Sequence, residues 1–326
     1  MPLALIATDS FKGTLSAEAV ARALAKGFKM AGWAAEQCPL ADGGEGTAAV
    51  LRAALGGKPI PARATDPLGR EIDASWTLLA GGEIAVVEVA EASGHGRLAL
   101  GERDPLRASS HGTGQLIAAA ASQAQCVLVA AGGSATNDGG RGALEAIAEA
   151  GGIGTARLAC LCDVETTWEH ASRTFGPQKG ADAEAVAELE VRLDRFAGAL
   201  PRDPHGVARG GAAGGLAGGL WAALGAELRP GATYVCDAIG ISERIDRADL
   251  VIGGEGRLDA TTLEGKALAE LAGRCAKAAK PLAAVVGQDA SDAALRSALH
   301  LRAVVEAGDA GALTHAAAGL ASCFDG

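Results

Sequence analysis

The chain has 326 residues, 49% of them hydrophobic and 21% charged, with 29 Lys and Arg against 39 Asp and Glu, a formal net charge of −10. That length supports two domains with ample cores, and the acidic balance excludes the basic footprint of a nucleic-acid binder. It does not exclude anionic substrates, because single loops can be positive on an acidic protein.

Residues 3–8 (LALIAT) read as a first buried strand and not as a signal peptide, since no basic segment precedes them. The loop Asp9-Ser10-Phe11-Lys12-Gly13-Thr14 follows. Ser16 then caps a predicted helix with Val20, Leu24 and Phe28 on one face, stopped near Gly32. A second glycine loop, PLADGGEGT (39–47), opens a helix that ends at Gly56-Gly57. Over 72–78 apolar and polar residues alternate, Gly81-Gly82 turns the chain, and 84–89 is again apolar, which predicts a β-hairpin. This change of texture places a domain boundary near residue 62.

The apolar run 126–131 (CVLVAA) predicts a buried strand, followed by GGSATNDGG (132–140) and a helix over 141–150 closed by Gly151-Gly152. A strand over 158–161 ends at Cys162-Asp163, a charged amphipathic helix covers 182–196, and the Gly/Ala-rich stretch 210–225 is helix-like and suited to close backbone packing. A strand over 249–252, a loop to Asp259, a helix ending near residue 279, strands over 281–286 and 301–305 and a last helix restore a clean βα rhythm. The two ends of the chain therefore pair as one α/β domain, 1–62 plus 240–326, with a second domain, 63–239, inserted. No apolar run reaches the roughly 18 residues needed to span a membrane. Seven scattered cysteines, an odd number, suit reduced thiols in a cytoplasmic protein, and Cys160-x-Cys162 reads as buried packing.

Five polar glycine loops carry the chemistry, each after a predicted strand or at the start of a helix, where open α/β sheets bind ligands. GGSATNDGG offers backbone N–H groups and a helix dipole to a phosphate, with Asp138 able to hold a cation. A glycine-rich connection with capping residues would share that pattern. In Asp9-Ser10-Phe11-Lys12 a cation stands beside a carboxylate, suited to a transferring phosphate or to plain surface charge. Asp42-Gly43-Gly44-Glu45 suits metal binding or general-base work, and Ser109-Ser110-His111-Gly112-Thr113 suits an anion or a helix cap. Gly254-Glu255-Gly256-Arg257-Leu258-Asp259 with Gly265-Lys266 joins two acids and two bases, either a phosphate and metal locus or a surface ion-pair network. Lys179 sits in a rigid frame, FGPQKGA (175–181). No Walker A motif, dinucleotide fingerprint, kinase HRD or DFG set, or G-x-S-x-G elbow is present.

Taken together, DSFKGTLSA (9–17), PLADGGEGT (39–47), DPLGR (66–70), SSHGTGQLI (109–117), GGSATNDGG (132–140), FGPQKGA (175–181) and ADLVIGGEGRLD (248–259) resemble the glycerate kinase family, in the family's order across nearly the whole chain. The resemblance implies two α/β domains, one a doubly wound parallel sheet built from both termini and the other an inserted mixed α/β domain, with the active site in the cleft. It implies ATP as donor, Mg²⁺ as cofactor and D-glycerate as substrate, giving 2- or 3-phosphoglycerate. Under it, Gly132, Gly133, Ser134, Thr136 and Asn137 go to the nucleotide phosphates and Asp138 and Glu255 to the metal. Lys12, Lys179, Arg257 and Lys266 go to phosphate or the glycerate carboxylate, and Asp42 is the candidate general base, with Asp9 and Asp163 as alternatives. The chain departs from the family over residues 165–174, beginning ETTWEH, which motivates a rival reading as a non-catalytic hydroxy-acid binder, and a kinase of another small sugar acid is a further alternative. A nicotinamide-dependent oxidoreductase is a second rival, disfavoured by the missing fingerprint. The oligomeric state stays open, a homodimer included.

Overall fold

A computed structural model describes residues 1–11 and 13–324. Its thirteen strands follow in chain order as β1 (Leu3–Thr8), β2 (Ala34–Gln37), β3 (Gly57–Thr65), β4 (Glu71–Leu79), β5 (Ile84–Glu88), β6 (Cys126–Ala130), β7 (Arg157–Cys162), β8 (Glu227–Pro230), β9 (Leu250–Gly254), β10 (Arg257–Leu258), β11 (Leu282–Val286), β12 (Gln288–Asp289) and β13 (Leu301–Glu306). They fall into two compact α/β units, one of residues 1–42 with 232–326 and one of residues 43–231.

The first unit is built on a fully parallel five-stranded sheet ordered β13-β11-β9-β1-β2. β1, β9 and β11 are almost wholly buried apolar runs, as expected for strands covered by helices on both faces. The helix Ala17–Met30 starts where expected, with the Ser16 hydroxyl accepting from Ala19 N. Its buried stripe, Val20, Leu24 and Phe28, packs with the helix Ala310–Phe324 over the sheet. Gly27 makes that packing tight: a Cβ there would lie 2.1 Å from Thr314 O. After β9 and β11 the chain forms a two-residue parallel ladder, Arg257 with Gln288 and Leu258 with Asp289, which ties the two loops together.

The second unit carries a six-stranded mixed sheet ordered β3-β4-β5-β6-β7-β8. β3 to β5 form an antiparallel meander and β5 to β8 run parallel. The expected hairpin is β4–β5; its turn is closed by Gly82 N donating to Leu79 O, and Gly81 (φ 94°) and Gly82 (φ 76°) take the left-handed conformations that glycine permits. The sequence reading divides the chain at 62, inside β3, whereas that strand lies whole in the second unit. Pro59 and Pro61 hide it, since proline normally speaks against a strand. They are tolerated because β3 is an edge strand, paired only with β4.

The stretch 210–225 is helical only in its second half, Leu216–Leu224. Before it, Arg209, Ala213, Gly214 and Gly215 all have positive φ, which no helix continues through. The reason is contact: a Cβ on Gly214 would lie 2.0 Å from Thr136 O, and one on Gly219 would lie 2.0 Å from Gly139 O. The segment lies backbone to backbone against the GGSATNDGG loop.

The two kinds of glycine should respond oppositely to substitution. Gly27→Val overfills a helix contact and should cost about 1–3 kcal/mol. Gly273, exposed in the helix Ala267–Lys277 with open space around it, should gain roughly 0.5–1 kcal/mol on change to Ala. Urea unfolding of both variants checks the pair, and a Gly27→Val protein as stable as the parent would contradict the helix contact.

Candidate active site

In the first unit, the loops after β1, β2, β9, β11 and β13 leave the carboxyl ends of parallel strands, where an open α/β sheet binds ligands. They line a cavity of 370 Å³ that gathers Asp9, Asp42, Glu255, Arg257 and Lys266. Asp9 and Asp42 are buried, 7% and 3% exposed, so neither is a solvated surface charge. Asp9 Oδ1 accepts from Ser10 N at 2.6 Å. Glu255 is also buried; Oε1 accepts from Thr262 Oγ1 at 2.6 Å and Oε2 meets Lys266 Nζ at 3.2 Å. Burial raises its pKa above the usual carboxylate value, opposed by the Thr262 bond and the Lys266 charge. Arg257 donates from Nε to Asp259 Oδ2 at 3.0 Å and from Nη1 to Gln288 Oε1 at 3.2 Å. Asp259 also receives two bonds from Thr261, and these hydrogen bonds hold its pKa low. Lys12, expected beside Asp9, lies outside the described residues.

This donor set suits Mg²⁺. Among the described residues no group of three or more His, Cys, Asp or Glu side chains is placed to hold a metal unaided. Mg²⁺ rarely needs one: it takes one or two carboxylates and fills the rest with water and substrate phosphate oxygens. Two buried carboxylates lining one cavity, Asp9 and Asp42, match that requirement.

In the second unit, the loop 132–140 leaves the carboxyl end of β6, and Asp163 leaves that of β7. A Cβ on Gly132 would lie 2.5 Å from Gly44 Cα and 3.6 Å from Asp163 Oδ2, so glycine permits this approach. Gly133 turns the loop with φ 75°. Lys179, 3% exposed, points into the loop from behind. Its Nζ donates to Ser134 Oγ (3.0 Å), Thr136 O (2.6 Å) and Asn137 Oδ1 (3.0 Å). All three ammonium hydrogens are thereby used on neutral acceptors. Burial brings this ammonium down to about 7, with the charges of Asp138 and Asp163 opposing the fall.

Asp138, expected as a metal ligand, has both oxygens engaged by the protein itself. Oδ2 accepts from Ser110 N (2.8 Å), Ser110 Oγ (2.7 Å) and Gly142 N (3.2 Å), and Oδ1 from Gly140 N (3.1 Å). Ser110 Oγ in turn accepts from Ala143 N. The start of the helix Arg141–Glu149, read from sequence as an open anion cradle, is thus capped from within. Thr136 Oγ1 and Asn137 Nδ2 are the loop's buried side-chain polar atoms that have no hydrogen-bond partner among the described residues.

Two groups escape sequence reasoning. Glu88, the last residue of β5, is buried and accepts from Ala48 N at 2.8 Å, capping the helix Thr47–Leu55, whose own N-cap is Gly46. Burial lifts its pKa to about 7, opposed by the backbone bonds at Ala48 and Gly46. His95 donates its backbone N–H to Gly133 O at 3.0 Å, and burial with the nearby charges of Lys179 and Arg103 lowers its pKa. Glu88 stands in no polar glycine run, and nothing local in Ser93-Gly94-His95-Gly96 marks the contact with Gly133, so only tertiary structure shows either role.

A model of the glycerate kinase family matches residues 4–151 and 149–321. The chain belongs to the glycerate kinase family. It is 36% identical to glycerate 2-kinase of Escherichia coli K12, over 88% of this chain and 86% of that protein. It is 36% identical to glycerate kinase of Bacillus subtilis 168, over 80% and 78%. A crystal structure assigned to glycerate kinase 2 of Salmonella typhimurium LT2 superposes with a TM-score of 0.83 at 32% identity, covering 99% of this chain and 98% of that one.

Two outcomes follow from this geometry. Lys179→Met leaves three acceptors of the loop without their donor, and each unsatisfied buried group costs about 1–3 kcal/mol, so the melting temperature should fall by several degrees. An unchanged melting curve would contradict the bracing role. Glu88, with its folded pKa raised from 4.5 to about 7, favours the folded state below the lower value and loses that contribution as pH rises through the upper one. The loss is on the order of 3 kcal/mol at full effect. Glu88→Gln should therefore lose less stability than the parent between pH 5 and pH 8, measured by denaturant unfolding at both.

Proposed function

We propose that this chain transfers the terminal phosphoryl group of ATP to the 2-hydroxyl of D-glycerate, with Mg²⁺ as cofactor. The observation that carries the reading is the set of buried carboxylates, Asp9, Asp42 and Glu255, with the half-buried Lys266 and the exposed Arg257, around one cavity at the carboxyl ends of a parallel sheet. The 2-hydroxyl is chosen over the 3-hydroxyl because the Escherichia coli relative is named a glycerate 2-kinase. Free cysteines throughout the described chain accord with a cytoplasmic setting.

Phosphoryl transfer asks for positioning and charge neutralisation more than covalent chemistry. Asp42 accepts the proton of the attacking hydroxyl, its carboxylate following a short loop from β2 and followed by Gly43-Gly44. Asp9 is the group that would hold Mg²⁺, and the ion would neutralise charge on the phosphates. Arg257 and Lys266 face the substrate carboxylate or the transferred group. Glu255 holds Lys266 in place by its ion pair. The loop Gly132, Gly133, Ser134, Thr136 and Asn137 serves the nucleotide phosphates. Asp138 and Lys179 keep that loop in shape and touch no phosphate. Asp163, close to Gly132, remains an alternative base to Asp42.

The reading predicts ADP release that depends on both D-glycerate and Mg²⁺, and excess EDTA should abolish it. Asp42→Asn should lower kcat by about 10²–10⁴-fold at saturating substrates, the usual worth of general acid–base catalysis. A folded variant with kcat near that of the parent would remove Asp42 from the reaction.

A further inference from the structure

Glu88 is a buried carboxylate that the reaction chemistry above leaves unused. It ends β5, in register with Ala130 of β6, at the same carboxyl edge of the parallel strands from which the loop 132–140 departs. Its Oε1 accepts from Ala48 N at 2.8 Å, and the carboxylate also takes the N–H of Gly46. Both N–H groups belong to the loop that begins at Asp42. That loop has glycine at 43, 44 and 46, with Gly43 (φ 97°) and Gly46 (φ 96°) in the left-handed region, so its backbone has much freedom to lose on ordering. Thr47 Oγ1 ties it internally by donating to Gly44 O at 2.7 Å. The helix Thr47–Leu55 has no side-chain cap of its own, because its N-cap is Gly46, and Glu88 supplies one from another element. The loop matters beyond Asp42 as well: a Cβ on Gly132 would lie 2.5 Å from Gly44 Cα.

An amide at this position would cap the helix at lower cost. Burial pushes Glu88 up to about 7, with Glu91 and Glu45 adding repulsion and the two backbone bonds opposing, so its charge costs folding free energy at neutral pH. A buried charge kept at such a cost is the kind of group that functional sites retain. The ionised carboxylate offers acceptors to both N–H groups, whereas a neutral acid or an amide turns a donor toward one of them. We propose that ionised Glu88 is a positioning residue for the phosphoryl transfer: by holding the N–H groups of Gly46 and Ala48 it fixes the glycine loop 43–46 and thereby the aim of the Asp42 carboxylate at its head. The inference rests on the kinase reading with Asp42 as base, and Glu88 acts in it through the loop backbone and not on the substrate.

The test is Glu88→Gln in the full chain, alone and combined with Asp42→Asn. The change keeps the side chain's size and one acceptor, so the fold should survive, and a melting curve checks it. At pH 8 and saturating substrates kcat should fall by about 10–10²-fold, the scale of an ångström of misplacement, with the KM values for ATP and D-glycerate within about twofold. The ratio of parent to variant kcat should shrink toward unity as pH is lowered from 8 to 6, because the parent's own carboxylate is then protonated and resembles the amide. A cap that only stabilises the fold would leave that ratio constant, and a constant ratio overturns the inference. The double variant should be no slower than Asp42→Asn alone, since a residue that acts through Asp42 then has nothing left to position; losses that multiply overturn the inference too. Amide hydrogen exchange at pH 8 reads the loop without turnover: the Gly46 and Ala48 N–H groups should exchange faster in Glu88→Gln, and unchanged exchange contradicts the anchoring. Parental kcat in the folded single variant overturns the inference and leaves the kinase reading intact. A parent that releases no ADP from ATP and D-glycerate overturns the kinase reading itself, and this inference with it.

Discussion

A buried ammonium held by neutral acceptors organises the second unit. Lys179 is almost fully enclosed, and its three hydrogen bonds end on a hydroxyl, a carbonyl and an amide oxygen of one loop. A carboxylate in direct contact would have bound the charge more strongly but left the loop's own acceptors unsatisfied. The chosen arrangement fixes Ser134, Thr136 and Asn137 relative to each other. Asp138 then extends the same frame in the other direction, joining Ser110 to the first turn of the helix Arg141–Glu149. The loop is braced because Lys179 and Ser110 engage its acceptors, while Thr136 Oγ1 and Asn137 Nδ2 are its buried side-chain atoms without a partner among the described residues. Preorganised groups of this kind act on a ligand without a further ordering cost.

The first unit solves a different problem. Three carboxylates, Asp9, Asp42 and Glu255, are buried around one cavity, and their mutual repulsion must be relieved. Lys266 and Thr262 relieve it at Glu255. Arg257 is turned toward Asp259 and Gln288, which places a guanidinium beside the cavity with its orientation set by the β10–β12 ladder. Desolvation raises the energetic stake of each charge and makes the cavity receptive to a cation and to anionic substrate together.

How far the sequence spoke depended on the range of the interaction. Short-range rules located Ser16 as a cap, the Gly81-Gly82 hairpin and the buried runs of β1, β6, β9 and β11, because capping, turn chirality and apolar burial are local. The same rules made polar glycine loops conspicuous. They could not assign the partners of a side chain: Lys179 reads as a phosphate ligand in FGPQKGA, yet its three partners lie more than forty positions away. Glu88 was silent for the same reason, since the N–H it caps is 40 residues upstream. β3 was hidden by prolines that only an edge position tolerates, and edge position is a property of the sheet.

The segment that departs from the family pattern, ETTWEH, is best understood through Trp168. That ring is fully buried, and a Cβ on Gly139 would lie 2.6 Å from its Cη2, while one on Gly218 would lie 2.7 Å from its Cε3. It fills the space under the end of the GGSATNDGG loop with Leu193 and Ala197, in a small core of its own. The altered segment thus supplies packing to the loop that carries Asn137 and Asp138, and the glycines at 139, 215 and 218 are the complement of a large ring. The segment therefore acts on the loop through packing, as support beneath the polar residues that the loop itself presents.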